Sequence, residues 1–352
     1  MQRLVSSLLL CATFAGLVAG CGGADAAESS STTTGAKRPT GPEVIFQGVP
    51  FRQVEPETTI EVGAPELGTI AASEEFLWAT SVQGVHRIDP HTGEAQLVLK
   101  ARSPDLSIAA DEGSVWATSF EENVVRRIDP ASGKVIATIE VGTNPAAAAV
   151  TDDAVWVTNH RGGDVARIDP ASNEIVARIT VGPKGPSGPQ SIGFGAGSIW
   201  VGVPNISAVV RIDPATNDVV ETIDVDIPGV VPCGGFAVNE ADAWLTNCQG
   251  LSILRIDART NEPVAVLSVG ARPDSPGFVD EQLWVSVAPR ELSGHEAPGG
   301  LVQIDRDNKM VDAIDLGEDF AAGGTVVAFG TLWVADYEHG RIVGVSTDAL
   351  SE

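Results

Sequence analysis

The chain has 352 residues, of which 47 are acidic and 22 basic, giving a formal charge of −25. Nucleic acid is therefore not an expected partner, because neutralising phosphates takes a basic footprint that this composition lacks. The plain reading of so many acids is solubility for a Gly-rich, Val-rich β protein, and they do not by themselves point to a cationic ligand.

The first twenty residues hold one cation, Arg3, an apolar run through Leu8-Leu9-Leu10 and Phe14, and then Val18-Ala19-Gly20 before Cys21. That order reads as a secretory signal over residues 1–20, too short to span a bilayer well and ending in small residues that admit a peptidase. The segment resembles the lipobox of bacterial lipoproteins. The resemblance implies that Cys21 takes a diacylglyceryl group, becomes the first residue of the mature protein, and anchors it to a membrane facing outside the cytoplasm. Residues 21–55 turn to Gly, Ala, Ser, Thr and Pro, with an unbroken hydroxyl run from Ser29 to Thr34. Such a segment buries too little apolar surface to fold and is expected to be a flexible tether.

Residues 56–352 carry an internal repeat. Seven tryptophans, Trp78, Trp116, Trp156, Trp200, Trp244, Trp284 and Trp333, recur at intervals of 38 to 49 residues. A period of this size suits four short strands per unit, the blade of a propeller, so the fold class is all-β with seven four-stranded blades. Each Trp lies in a β-type run such as Ala154-Val155-Trp156-Val157-Thr158, taken as strand B. Arg-Ile-Asp follows at Arg87, Arg127, Arg167, Arg211 and Arg255 and marks strand C. The next turn reads Asp-Pro-Ala-Ser-Gly at 129–133, Asp-Pro-Ala-Ser-Asn at 169–173 and Asp-Pro-Ala-Thr-Asn at 213–217. Pro presets the first turn position, Asp accepts from turn amides, and Gly or Asn takes the left-handed exit into strand D. Strand A of the following unit is small and apolar, as in Ala146-Ala147-Ala148-Ala149. The repeated Trp and Arg are expected to be structural, Trp as interblade core and Arg paired with a neighbouring strand or blade.

After Trp333 the chain has room for strand C but not for strand D. Thr58-Thr59-Ile60-Glu61-Val62-Gly63 matches Thr138-Ile139-Glu140-Val141-Gly142 closely and should complete the seventh blade, joining the two ends and removing an open edge.

The Trp strand, Arg-Ile-Asp-Pro and Val-Gly-x-x-Pro together resemble the YVTN-type propellers, a superfamily that also includes the streptogramin lyases. The resemblance covers about residues 57–348 and implies the fold more than any one activity. Its members include sensors, binding modules, subunits of quinoprotein dehydrogenases and a lyase type. Those lyases work with magnesium and a His/Glu set, for which this chain offers His160, His295, Asp336, Glu338 and His339. No spacing here matches the lyase motif closely enough to transfer its residues. The chain also has no His-Glu-x-x-His, phosphate loop or Gly-x-Ser-x-Gly, so no catalytic residue, metal ligand or cofactor is assigned.

The first reading is a lipid-anchored, extracytoplasmic propeller that binds a protein or small-molecule ligand on one face. The alternatives are a magnesium-dependent lyase and an accessory subunit of a quinoprotein-type dehydrogenase. Loops B–C and D–A share the binding face, and the B–C loop of blade six carries an eight-residue insertion between Val287 and Gly299, expected to be irregular. Beside it blade seven offers Asp336-Tyr337-Glu338-His339. A ligand is thus expected to meet His295, Asp336, Glu338 and His339, with Asn159 and His160 across the mouth. Cys233 and Cys248 flank a hairpin whose turn lies near Asn239-Asp242, and symmetric pairing about it places them within disulfide reach.

Overall fold

The structure, a computed structural model, describes residues 38–45, 49–100, 107–292, 295–317 and 319–350. Cys21 and the signal segment lie outside these residues. The described chain forms seven antiparallel sheets with strand order A-B-C-D from the centre outward. Blade one holds Ile70–Ala72, Leu77–Ser81, Gly84–Ile88 and Ala95–Lys100. Blade two holds Ile108–Ala110, Val115–Ser119, Val124–Ile128 and Val135–Glu140. Blade three holds Pro145–Thr151, Ala154–Asn159, Asp164–Asp169 and Glu174–Thr180. Blade four holds Ser191–Gly195, Ser198–Val203, Ala208–Ile212 and Val219–Asp224. Blade five holds Pro232–Val238, Asp242–Asn247, Ser252–Asp257 and Glu262–Ser268. Blade six holds Arg272–Val279, Gln282–Ala288, Gly300–Ile304 and Met310–Asp315. Blade seven takes Ala322–Ala328, Thr331–Asp336 and Arg341–Ser346 as A to C, and its strand D is Thr58–Glu61. Thr59 stands opposite Val343 and Ile60 opposite Ile342, as the matching sequence of the N-terminal strand requires. Each strand A touches the A strands of both neighbouring blades, so the ring is closed and the chain is a seven-bladed β-propeller.

Strand B is buried at nearly every position because a blade shows both faces to its neighbours. Each Trp packs on strand B of the following blade. Trp116 lies with Val155 and Val157, Trp156 with Ile199 and Val201, Trp200 with Ala243 and Leu245, and Trp333 with Leu77 and Ala79. The seven joints are thus filled by one large side chain each, the interblade role expected from the repeat.

The strand C arginines do the polar half of this work. In register Trp156 faces Arg167 and Trp200 faces Arg211, and the guanidinium carbon lies 5.2 Å and 5.0 Å from the respective ring centres. The outer nitrogen then crosses to the C–D turn of the next blade. Arg167 donates to Asn217 Oδ1 at 3.0 Å, Arg211 to Ala258 O at 2.7 Å and Asn261 Oδ1 at 3.0 Å, and Arg255 to Asn308 Oδ1 at 2.8 Å. The accepting Asn residues sit at φ of 61° to 64°, the left-handed turn exit, which aims the side chain back at the Arg. In the matching turns of blades two and three Asp129 accepts from Ser132 N and Oγ, and Asp169 from Ala171 N and Ser172 Oγ. Those bonds hold both carboxyls below the usual carboxylate range. The clasps run from blade one to blade six. Blade six has Gln303, bonded to Gln282 of its own sheet, and blade seven has Gly344 opposite Trp333, so the last two joints lack a clasp.

Two expectations are corrected. Residues 21–55 were expected to form a tether, but their described part is a strap laid along the outer rim. Arg38 donates to Asp224 Oδ2 of blade four at 3.2 Å, Glu43–Val44 pairs parallel with strand D of blade five, and Arg52–Gln53 with strand D of blade six. Ile45, Val49 and Phe51 pack on the core shared by those blades. These few apolar residues suffice because the open backbone edge of each strand D supplies the remaining partners. Second, the blade six insertion is not an irregular loop: Arg290–Leu292 and His295–Ala297 pair as a small antiparallel hairpin.

Candidate functional site

Loops B–C and D–A meet on one face, as the hydrogen bond of Tyr337 N to Ala321 O and that of His160 N to Asn144 O show. On that face, in four of the blades, the last residue of strand B bonds the strand C residue five positions on. Ser81 pairs with His86, Asn159 with Asp164, Asn247 with Ser252 and Asp336 with Arg341. Asn159 and Asp336 thus belong to the repeat, and each braces its own loop. Asp336 is fully buried and holds more than Arg341. His339 Nδ1 lies 3.0 Å from its Oδ2, which orients the imidazole on the surface.

The other sequence candidates separate. His160 packs at a tilt against Phe120 with ring centres 5.8 Å apart, and burial pushes its pKa down. Neutral at physiological pH, it is part of the loop packing between blades two and four. Glu338 is exposed. His295 stands opposite Leu292 in the hairpin, and its side chain lies outside the described part of the structure. Cys233 and Cys248 form the expected disulfide, with Cα atoms 5.5 Å apart. The ladder reaches it through a bulge, since Phe236 faces Leu245 but Pro232 faces Asn247.

The structure adds three residues to Tyr337 at the mouth over blades six, seven and one. Tyr337 donates its hydroxyl to Glu66 Oε2 at 3.3 Å. Glu66 has φ of 57°, a conformation that costs energy for a side chain of this kind. Burial, and then Glu66, push the Tyr337 phenol up, while Arg272 pulls it down. Arg272 and Asp274 open strand A of blade six, where the repeat elsewhere reads small and apolar. Asp274 still meets solvent, yet the surrounding protein strips most of its hydration. This burial lifts its carboxyl above the usual carboxylate range, and Arg272 only partly opposes the shift. Among the described residues no side chain bonds the Asp274 carboxylate, whereas Thr246 Oγ1 fixes its backbone oxygen at 2.7 Å. The signal was present in the sequence: Ala271-Arg272-Pro273-Asp274-Ser275-Pro276 departs from Asn144-Pro145-Ala146-Ala147-Ala148. A separate cavity of about 400 Å³ lies under the strap, lined by Arg38, Pro39 and Val264, on the outer rim away from these groups.

No protein-family model matches the chain, and no match is found among the curated proteins. Solved structures do match. A streptogramin B lyase aligns over 82% of this chain and 96% of its own, with 18% identity and a TM-score of 0.65. The chain has the fold of these lyases. Virginiamycin B lyase from Staphylococcus aureus aligns over 82% of this chain and 98% of its own, at 18% identity and a TM-score of 0.66. A catalytically inactive variant of that enzyme with quinupristin gives 0.62 at the same identity. At this identity the likeness is one of fold, and the site has to be argued from the side chains present.

Proposed function

We propose that this chain is a lipid-anchored, extracytoplasmic binding propeller whose ligand docks at the mouth over blades six, seven and one. The observation that supports the reading is Asp274, a carboxylate held in a desolvating position with no bonding partner among the described side chains. A folded protein gains nothing structural from such a group, and desolvated unpaired carboxylates concentrate at binding and catalytic sites. Arg272 acts electrostatically on both Asp274 and Tyr337, and Tyr337 bonds the strained Glu66, so groups of both signs line the mouth.

A thermal-shift screen of the full chain against small polar molecules is expected to give hits that vanish in Asp274→Asn. They should survive in Asp152→Asn, at a turn on the opposite face. The variant should fold as well as the parent or better at neutral pH. With its folded pKa raised, Asp274 binds more protons in the folded than in the unfolded state between the two values. Stability therefore falls as pH rises through that window, and an amide removes the cost. Hits that ignore Asp274→Asn would take the site away from the mouth.

Anchoring has its own test. Cys21→Ser should move the protein from the membrane fraction to the soluble one, and unchanged retention would refute the lipid anchor. A second reading, a metal-dependent lyase, is supported by the fold likeness. Among the described residues no three carboxylate, imidazole or thiol groups gather at one point. The described side chains thus do not fit a preformed magnesium site, and no step is derived through one.

A further inference from the structure

We infer that the mouth takes a compact zwitterion, a molecule with a primary ammonium and a carboxylate a few bonds apart, its ammonium turned inward to Asp274 and its carboxylate held by Arg272. The inference rests on the mouth being the binding site proposed above. Strand A of blade six enters from the loop face, so Arg272 stands at the open end and Asp274 two residues deeper. Two strand residues span at most roughly 6–7 Å, and the register shift between Pro273 and Pro276 begins within this stretch. Opposite charges this close on one scaffold usually close into an ion pair. Here neither makes an ion pair or side-chain hydrogen bond with any described residue, and they sense each other only through space.

Among the described residues each charge is therefore open to a third party. The desolvated inner carboxylate gains from a cation or donor, and the outer guanidinium, exposed at the strand's open end, offers bonds to an anion. A ligand with a single charge satisfies one and leaves the other uncompensated, whereas a zwitterion answers both in the order that the strand presents them. The spacing is preset. Pro273 and Pro276 fix the strand's φ angles, and Thr246 holds the Asp274 carbonyl. Gly235 of blade five leaves room beside them, since a Cβ there would meet Pro276 Cδ at 2.9 Å. Binding therefore demands little rearrangement of the site. The described equivalent positions of other blades, Gly68, Ala146, Gln190, Gly234 and Gly323, carry no charge, so among the described residues this tier has one ammonium seat.

Calorimetric titration of the purified full chain would use glycine, β-alanine, γ-aminobutyrate and 5-aminovalerate, with butylamine and butyrate as single-charge probes. One chain length should bind about tenfold or more tighter than either single-charge probe. Asp274→Asn should erase its advantage over butyrate, and Arg272→Gln its advantage over butylamine. Butylamine or butyrate matching the best amino acid would overturn the inference. If no probe binds at millimolar concentration while the hits of the polar screen still depend on Asp274, the zwitterion is wrong and the mouth site stands. If those hits ignore Asp274 as well, both are wrong.

Discussion

Replacing Ile60 with Asp should abolish stable folding or lower the urea midpoint drastically, the largest effect expected of any single change in the N-terminal strand. Ile60 is 2% exposed and packs with Leu67, Leu77, Ile88 and Trp333 at the joint between blades seven and one. A carboxylate there loses its hydration and finds no cation in that cluster, at a cost of about 4 kcal/mol or more. The position matters doubly. Thr58–Glu61 supplies strand D of blade seven and so ties the start of the propeller to its end, and the joint has no arginine clasp to share the load. Thr59→Glu, on the exposed side of the same strand, should stay within about 0.5 kcal/mol of the parent. Tryptophan fluorescence through a urea titration reads both, since Trp333 lies in the affected cluster. Equal midpoints for the two variants would show that ring closure does not depend on this strand.

Arg211→Ala should cost about 3 kcal/mol, far more than a surface arginine, because one guanidinium serves two blades. Its Nε donates to Ser198 Oγ at 2.8 Å and its Nη2 to Ala196 O at 3.2 Å within blade four. Nη1 reaches Ala258 O and Asn261 Oδ1 in blade five, while the plane covers Trp200. Removal leaves the Ala258 carbonyl and the Trp200 face without their partner. Arg211→Lys should recover only a minor part, since a single ammonium cannot span both blades as the planar fork does. Gln303→Ala, at the same position of blade six, should fall below about 1 kcal/mol because Gln303 bonds only within its own sheet. Denaturation midpoints of the three variants give the comparison, and a loss in Arg211→Ala no greater than that in Gln303→Ala would mean that the clasp carries no load.

Much of this architecture was legible because each blade restates the same physical problem. A sheet buried on both faces needs a continuous apolar strand B. A wedge-shaped gap between blades needs one large side chain, and a short turn needs Asp, Pro and then Gly or Asn. The repeat therefore exposes Trp, Arg-Ile-Asp and the turns in one dimension, and the missing strand after Arg341–Ser346 is a matter of counting. The Cys233–Cys248 pair was legible too, since counting back from the hairpin turn brings the two within reach, although a bulge shifts the ladder so that they do not stand directly opposite. The strap was not. Averaged over residues 21–55 the composition is that of a tether, and Ile45, Val49 and Phe51 acquire partners only because the D strands of blades five and six offer open edges.

The sequence by itself determined the number of blades, the identity of their strands and the way the ring shuts, because those features rest on local pattern and on neighbours along the chain. It also named Asn159 and Asp336, but their task as loop braces needed the pairing of Asn159 with Asp164 and of Asp336 with Arg341 to be seen. Only the tertiary structure decided the composition of the mouth. Glu66 and Tyr337 are 271 positions apart in the chain and share a hydrogen bond because closing the ring brings its ends together. Burial raises the Asp274 pKa, and burial is a property of what surrounds a residue in space, which no spacing along the chain encodes.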